Sequence, residues 1–418
     1  MHYSHTYNKK IKLAVSLLSL VLTTTAMADD VNTTIEKALK FGQDDAKYGQ
    51  IKLDLRYRYD NTDSTNPKKE VANASTLRLR LGYLTPVFKG LQGYAEFQGN
   101  QDIGVNSYNS TMNGKTQYET IADPQENELN QLWLSYKGIP HTEARLGRQV
   151  IQLDNDRFIG VAGWRQLERT YNAFLLNNAS LPNTTVIIGY ISKAKNTNSI
   201  MQDLEVPLVN IGYNFADIGK LTGYSYIIHF RDAYLSENSN QTYGVSFDGA
   251  RRVNDTLGFV YRSEYAYQSD YKNSTPYQAD YYHIIGGFTA YGFIVKGAME
   301  QLGGKGLNKT FDTPLGLLHK FGGWADVFLT APNDGYRDVY ASVEKELMGV
   351  KLTCFYRDWS DDTSKKHYGN EMDFMISKNF FKHYNLMAKY AYFSADADGT
   401  SIGKFDTQKI WFGGGIIF

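Results

Sequence analysis

A single cysteine, Cys354, stands in the chain, so no intramolecular disulfide can hold it together. Prolines number 9 among 418 residues, and no Pro/Gly-rich linker marks the two or three domains that a soluble chain of this length would form. Neither sign of charge is in excess: 44 Lys and Arg face 44 Asp and Glu, which removes the basic footprint of a nucleic-acid binder. Long apolar runs are missing as well. The stretch from Leu13 to Leu22 stops well short of the roughly 20 residues that a membrane-spanning helix requires. GxSxG, HExxH and nucleotide-cradling loops are absent, and the 8 histidines are scattered, so the sequence offers no catalytic constellation and no cofactor site.

What the chain does have is aromatic side chains. They make up 14% of it, with 32 tyrosines, although mean hydropathy is only −0.43. A wide transmembrane β-barrel produces that combination, because alternate residues face a polar lumen while aromatic girdles rim the lipid-facing band. The N-terminus agrees. Lys9, Lys10 and Lys12 precede the apolar stretch, which runs through Thr23 to Thr25 into Ala26-Met27-Ala28, the pattern of a cleavable secretory signal over residues 1 to 28. Its removal takes three lysines and no acid, leaving the exported chain slightly acidic.

Period-two alternation carries the fold class. In residues 51 to 60, Ile51, Leu53, Leu55, Tyr57 and Tyr59 share one face, and Lys52, Asp54, Arg56, Arg58 and Asp60 the other. That is a strand of membrane-crossing length. The split recurs at Leu77, Leu79, Leu81 and Tyr83 against Arg78 and Arg80, and at Val350, Leu352, Cys354 and Tyr356 against Lys351, Thr353 and Arg357. Cys354 is thereby expected on the lipid face as a small hydrophobe.

Alternation and turn residues together predict strands near 50 to 60, 75 to 85, 91 to 100, 128 to 137, 142 to 149, 170 to 177, 184 to 192, 207 to 214 and 221 to 230. Nine more follow near 240 to 249, 256 to 267, 281 to 289, 291 to 301, 336 to 346, 349 to 359, 370 to 378, 384 to 394 and 408 to 418. The expectation is an all-β fold, an antiparallel transmembrane barrel of about 18 strands, with sixteen as the alternative if a hairpin is miscounted. Connection lengths test it independently. Long segments (61 to 74, 101 to 127, 150 to 169, 302 to 335 and others) alternate with short ones such as Pro86 to Gly90 and Leu347 to Met348, as external loops alternate with periplasmic turns.

Ile410, Phe412, Gly414, Ile416 and the terminal Phe418 share one face of the last strand. Such an ending resembles the closing strand that the outer-membrane assembly machinery recognises. Residues 31 to 48, with Thr34 placed to cap a helix before Ile35 and Leu39, read as a short periplasmic lead-in. The chain thus divides into a signal (1–28), a lead-in (29–48) and a barrel (49–418).

Residues 145 to 166 read RLGRQVIQLDNDRFIGVAGWRQ and residues 313 to 328 read TPLGLLHKFGGWADVF. Both resemble stretches of the alginate-export family of outer-membrane barrels, and the LDLRYRYD strand and closing strand fit the same family. The resemblance implies a monomeric barrel of eighteen strands and, in the family's best-known members, a basic conduit for an anionic polysaccharide; other members resemble general porins.

Candidate functional residues follow from which face each strand turns inward. Arg56, Arg58, Arg78, Arg80, Arg145 and Arg357 are expected to line a positively charged lumen, balanced in part by Asp54, Asp60 and Glu96, since the arginine fork grips carboxylates at two points. Loops 150 to 169 and 302 to 335 carry Phe158, Trp164, Leu317, Leu318, Phe321 and Trp324, which solvated loops do not need. Those loops are expected either to fold inward, setting Arg148, Asp154, Arg157, Arg165 and Arg169 beside Lys320 and Asp326, or to form an external cap. His319 reads as a structural histidine rather than a metal ligand. Asn333-Asp334-Gly335 and Asp361-Asp362 offer oxygens to calcium but equally suit ordinary turns. The function implied is passive conduction of hydrophilic, anionic solutes across an outer membrane, with its lipid and lipopolysaccharide as surroundings. The rivals are a dedicated polysaccharide exporter with periplasmic partners and a closed receptor or adhesin barrel.

Overall fold

The computed structural model describes residues 25–272, 274–304 and 309–418. Among them, eighteen strands form one sheet. They are β1 (Gln50–Ser64), β2 (Ala72–Leu84), β3 (Leu91–Ser107), β4 (Glu126–Tyr136), β5 (Thr142–Gln149), β6 (Thr170–Asn178), β7 (Thr184–Lys195), β8 (Met201–Phe215) and β9 (Gly219–Phe230). The second half comprises β10 (Asn240–Arg252), β11 (Leu257–Asp270), β12 (Gln278–Ala290), β13 (Phe293–Leu302), β14 (Tyr336–Leu347), β15 (Val350–Ser360), β16 (His367–Phe380), β17 (Tyr384–Ala395) and β18 (Thr407–Ile417). Each strand pairs antiparallel with its sequence neighbour, and β1 also pairs with β18, so the sheet closes into a barrel without free edges.

Every expected strand is found, and the sixteen-strand alternative falls. Several strands run further than expected at their external ends: β1 reaches Ser64, β3 reaches Ser107 and β8 begins at Met201. Beyond the lipid band both faces of a strand meet water, so apolar alternation fades while backbone pairing continues.

Alternation also sorts the two faces. Leu79, Leu81 and Tyr83 of β2, Leu132 and Leu134 of β4, and Phe374 and Ile376 of β16 are exposed on the outer wall, whereas the adjoining Arg78, Ser135 and Asp373 are buried inside. Cys354 lies on the outer face between exposed Leu352 and Tyr356. The periplasmic turns are tight. Met348 and Gly349 join β14 to β15 with φ of 53° and 72°, the pair of positive values that a two-residue hairpin matched to strand twist demands.

The lead-in differs from expectation in extent. Helix α1 spans Thr25–Leu39, beginning earlier and ending sooner than residues 31 to 48. Thr34 is not its cap: the hydroxyl donates back to the Asp30 carbonyl at 2.8 Å, within the helix. The expected signal lies outside the described residues except for its last four, which open this helix. α1 docks on the turn between β16 and β17, where Asn32 donates to the Phe381 carbonyl at 3.1 Å and Glu36 meets His383 at 2.6 Å. The His383 ring in turn stacks on Phe418, 4.0 Å between centroids.

Candidate functional site

Two long connections turn into the barrel, so the inward alternative holds over the external cap. Loop 3 (residues 150–169) follows β5, and loop 7 (residues 303–335) follows β13. Ile151, Leu153, Phe158 and Ile159 of loop 3 are buried with Phe311, Leu315, Trp324 and Phe328 of loop 7 and with the wall residues Tyr224, Tyr226, Tyr281, Tyr336 and Trp359. Phe158 sits 5.2 Å from Tyr224 and 5.4 Å from Tyr281 between ring centroids. Rings of this size stabilise the docked state by about 1.5–3 kcal/mol each when fully buried. The loops also bond to one another: Gly160 N–H donates to Leu315 O at 3.0 Å and Leu317 N–H to Asp156 O at 2.9 Å.

Charged side chains tie this plug to the wall. On β1, Arg56 donates to Gln166 Oε1 at 2.8 Å and to the carbonyls of Gly163 and Arg165, while Arg58 pairs with Asp60 and Asp123 and donates to Trp164 O. Arg78 pairs with Asp54, and Arg80 with Glu168 of loop 3 at 2.8 Å. In loop 3, Arg157 is 2% exposed and lies 2.8 Å from Glu300 of β13, with Tyr336 Oη accepting at 2.8 Å. Arg169 donates to Gly316 O at 3.2 Å, across to loop 7.

Loop 7 is held by β17 and β18, the strands next to β1 in the closed sheet. A short helix, α2 (Leu318–Phe321), presents His319, whose Nδ1 meets Asp326 at 2.6 Å and whose Nε2 accepts from Lys389 of β17 at 2.7 Å. Its ring stacks on Trp164 of loop 3, 4.6 Å between centroids and 5° from parallel. Lys389 lies 4.0 Å from the Trp164 ring and 3.7 Å from that of Trp324, an amine held by aromatic faces. Asp326 also pairs with Lys409 at 2.8 Å and Arg165 at 3.3 Å. Burial, reinforced by Lys389, pushes His319 down to about 3 against the pull of Asp326. Burial pushes the Asp326 carboxyl up, yet Lys409, His319 and Arg165 outweigh it and hold that group well below its usual range. Nearby, Glu371 of β16 accepts from Ala325 N–H at 3.0 Å, and Arg357 pairs with Asp338 and Asp373.

The expected residues therefore separate. Arg56, Arg58, Arg78, Arg80, Arg157, Arg165, Arg169, Asp326 and Arg357 gather in the lumen, but most arginines face a carboxylate, so the wall is a mesh of ion pairs rather than a bare basic lining. Arg145 lies near the periplasmic mouth, paired with Glu143 at 2.7 Å and 4.3 Å from the Trp133 ring. Lys320 is half-exposed and donates to Asn155 O at 2.8 Å. Arg148 is a correction: it stands opposite Leu132 in register, on the outer wall, because Gln149 takes the inward position at the end of β5. Asp334, Asp361 and Asp362 serve turn chemistry, Asp361 accepting from Lys365 and Lys366 N–H at 2.7 and 2.9 Å.

Sequence inspection had not singled out Asp123, Glu168, Lys389 or Lys409. For the two lysines a signal existed. Leu386, Ala388, Tyr390 and Tyr392 alternate outward on β17, which leaves Lys389 inside, and Lys409 is inward by the same parity against Ile410 and Phe412. Asp123 and Glu168 lie in loops, where no parity applies.

Residues 47–188 match the alginate export family; the stretch at 145–166 falls within that match and the one at 313–328 outside it. No curated protein sequence matches the chain. Among solved structures, OccAB3 of Acinetobacter baumannii superposes with a TM-score of 0.70 at 13% identity, over 88% of this chain and 99% of that one. OpdK of Pseudomonas aeruginosa with vanillate gives 0.68 at 12% identity, over 88% and 98%. OccK9 (OpdG) of the same organism gives 0.70 at 13%, over 88% and 98%. With its apolar outer wall, closed sheet and this resemblance, the protein is an outer-membrane β-barrel of porin fold.

Proposed function

We propose that this porin-fold barrel is a passive channel for small hydrophilic anions, narrowed by loops 3 and 7 and lined by Arg56, Arg78 and Arg80. One observation carries the proposal: the two loops cross the lumen as a jointly packed, charge-tethered constriction, which restricts size more than a plain water-filled barrel would. Arg56 has only carbonyl and amide partners, so its charge is not cancelled by a neighbouring acid and remains available to attract an anion. Carboxylates suit the arginine fork, and an aromatic acid such as vanillate, present in the OpdK structure, is a reasonable first solute.

Secretion through the signal at residues 1–28, assembly led by the strand ending in Phe418, and a monomeric state belong to the same proposal. Chemistry on the solute does not. The match to alginate export favours a second reading, a conduit for an anionic polysaccharide working with periplasmic partners. Single-channel current in a planar bilayer under a salt gradient tests the first. A small steady conductance with an anion-selective reversal potential is expected. Silence refutes the open channel, and cation preference refutes the anionic solute class. Swelling of proteoliposomes in small carboxylates but not in oligouronates separates the first reading from the second.

A further inference from the structure

β5 pairs with β4 over only five residues, from Leu132 opposite Arg148 to Tyr136 opposite Ala144. Above that point the chain leaves the wall to become loop 3, while β4 runs on to Glu126 without it; β6 begins at Thr170, one residue above the partner of Gln149, and β7 ends opposite it at Lys195. The early departure leaves a hollow of about 420 Å³ in the outer wall, rimmed by Leu129, Leu132, Leu146, Phe174 and Tyr190. Such a volume falls within the roughly 300–1,000 Å³ of ligand clefts. Its floor is Gly147 by necessity: φ is +126°, and a Cβ there would come within 2.3 Å of Leu132 O. The rim residues are exposed apolar groups of the outer wall, Leu146 at 63%.

At the external end of this apolar hollow stands Arg148. Its Nε donates to Asn172 Oδ1 at 3.0 Å and its Nη1 to Leu129 O at 3.1 Å, which hold the guanidinium upward toward the membrane surface. Among the described residues it makes no ion pair, unlike most arginines of the lumen. A cation on the lipid face is costly toward mid-membrane and tolerated near the interface, and a planar fork is matched to phosphate. An apolar trough with an unneutralised arginine at its outer-leaflet end has the polarity of an anionic lipid.

We infer that this hollow seats an acyl chain of a phosphorylated glycolipid of the outer leaflet, with Arg148 receiving a phosphate. Loop 3 thereby has a lipid-facing counterpart: where the chain turns inward to narrow the lumen, the vacated wall holds a specific lipid. The inference rests on the outer-membrane barrel and not on conduction, so it stands or falls apart from the channel proposal.

Native mass spectrometry of the purified full chain, after exchange with micelles containing diphosphoryl lipid A or its dephosphorylated form, tests it. The expected result is retention of the phosphorylated form, at least tenfold reduced in Arg148→Gln and likewise in Leu146→Trp, which fills the hollow while leaving the arginine. Both side chains face away from the lumen and its ion pairs, so heat-modifiable gel migration and the β-sheet circular dichroism of either variant stay at the native value, which reports that the barrel has folded. Equal retention of the two lipid forms, or native retention by both variants, overturns the inference.

Discussion

Replacing Arg157 with Gln isolates one buried ion pair that joins loop 3 to the barrel wall. Arg157 and Glu300 are 2% and 1% exposed and 2.8 Å apart. Removing one partner of a buried pair typically costs about 3–5 kcal/mol, because the other charge stays buried and uncompensated. Glu300 keeps the Tyr281 hydroxyl at 2.8 Å, which offsets part of that, so the lower end, about 3 kcal/mol, is the better figure. Since every 1.4 kcal/mol is a factor of ten, the equilibrium between docked and undocked loop 3 shifts roughly a hundredfold. Limited proteolysis within residues 150–169 reads that population directly when loop motion is fast relative to cleavage. Cleavage is expected to rise by about two orders of magnitude, with noisier and larger single-channel currents. Glu300→Gln should do the same. The double variant Arg157→Met, Glu300→Leu should recover most of the docking, because a buried pair exchanged for apolar groups of similar size is often neutral. Native cleavage rate and conductance in Arg157→Gln would refute the view that ion pairs hold the loop.

Three further outcomes are expected. Arg78→Gln with Arg80→Gln strips the partners from Asp54 and Glu168, so the reversal potential should move toward cation preference; an unchanged ratio removes these arginines from the path. Deleting residues 312–330 of loop 7 takes away Phe328, Trp324 and the His319 contacts, and conductance should rise severalfold by the same recording. Acid should loosen loop 7. His319 is held at about 3 against an ordinary 6.5, so the undocked loop takes up a proton that the docked one refuses. Docking is therefore at full strength above pH 6.5 and weakens as pH falls toward 3, while Asp326, held below its ordinary 3.8, adds a loss of the same sign only beneath that value. Channel noise measured from pH 7 to 4.5 should increase, and His319→Gln should flatten the dependence; parallel curves for both proteins would exclude His319 as its source.

The wall of this barrel is legible in the sequence because lipid and water impose opposite demands on adjacent residues. Leu79 and Arg80 cannot exchange places without inverting a whole strand, so alternation together with turn residues locates all eighteen strands, and parity indicates which wall side chains enter the lumen. Parity says nothing where that demand lapses. The loop reading sets Arg148 inward, whereas alternation from the inward Arg145 puts it, three residues on, on the outer face beside Leu132. In the loops no period exists, so Asp123 and Glu168 gave no sign that they would meet Arg58 and Arg80. The apolar content of loops 3 and 7 did indicate inward packing, because Phe158 and Trp324 have no reason to stand in water. Which partners they would find depends on contacts such as Phe158 with Tyr281, more than a hundred residues apart, that no local pattern encodes.

The charge pattern of the lumen follows from its loops. Plugging a barrel with two irregular segments buries backbone carbonyls that no neighbouring strand can satisfy. Arginine meets that need well, since one guanidinium reaches several acceptors: Arg56 serves Gln166 and the carbonyls of Gly163 and Arg165. Each arginine brought in for this purpose carries a charge that must itself be compensated, and Asp60, Asp123, Glu168 and Glu300 stand where compensation is needed. Counting lumen arginines therefore overstates the field that a solute meets, because the paired ones act as dipoles that fall off quickly with distance. Among the described residues around the plug, the cations without a carboxylate at ion-pair distance include Arg56 and Arg169, bound to neutral acceptors, Lys404, bound to Val327 O, and Lys389, bound to His319 among indole faces. Any anion preference of the constriction draws first on such cations, while paired arginines such as Arg78 and Arg80 contribute by neutralising Asp54 and Glu168, which would otherwise favour cations.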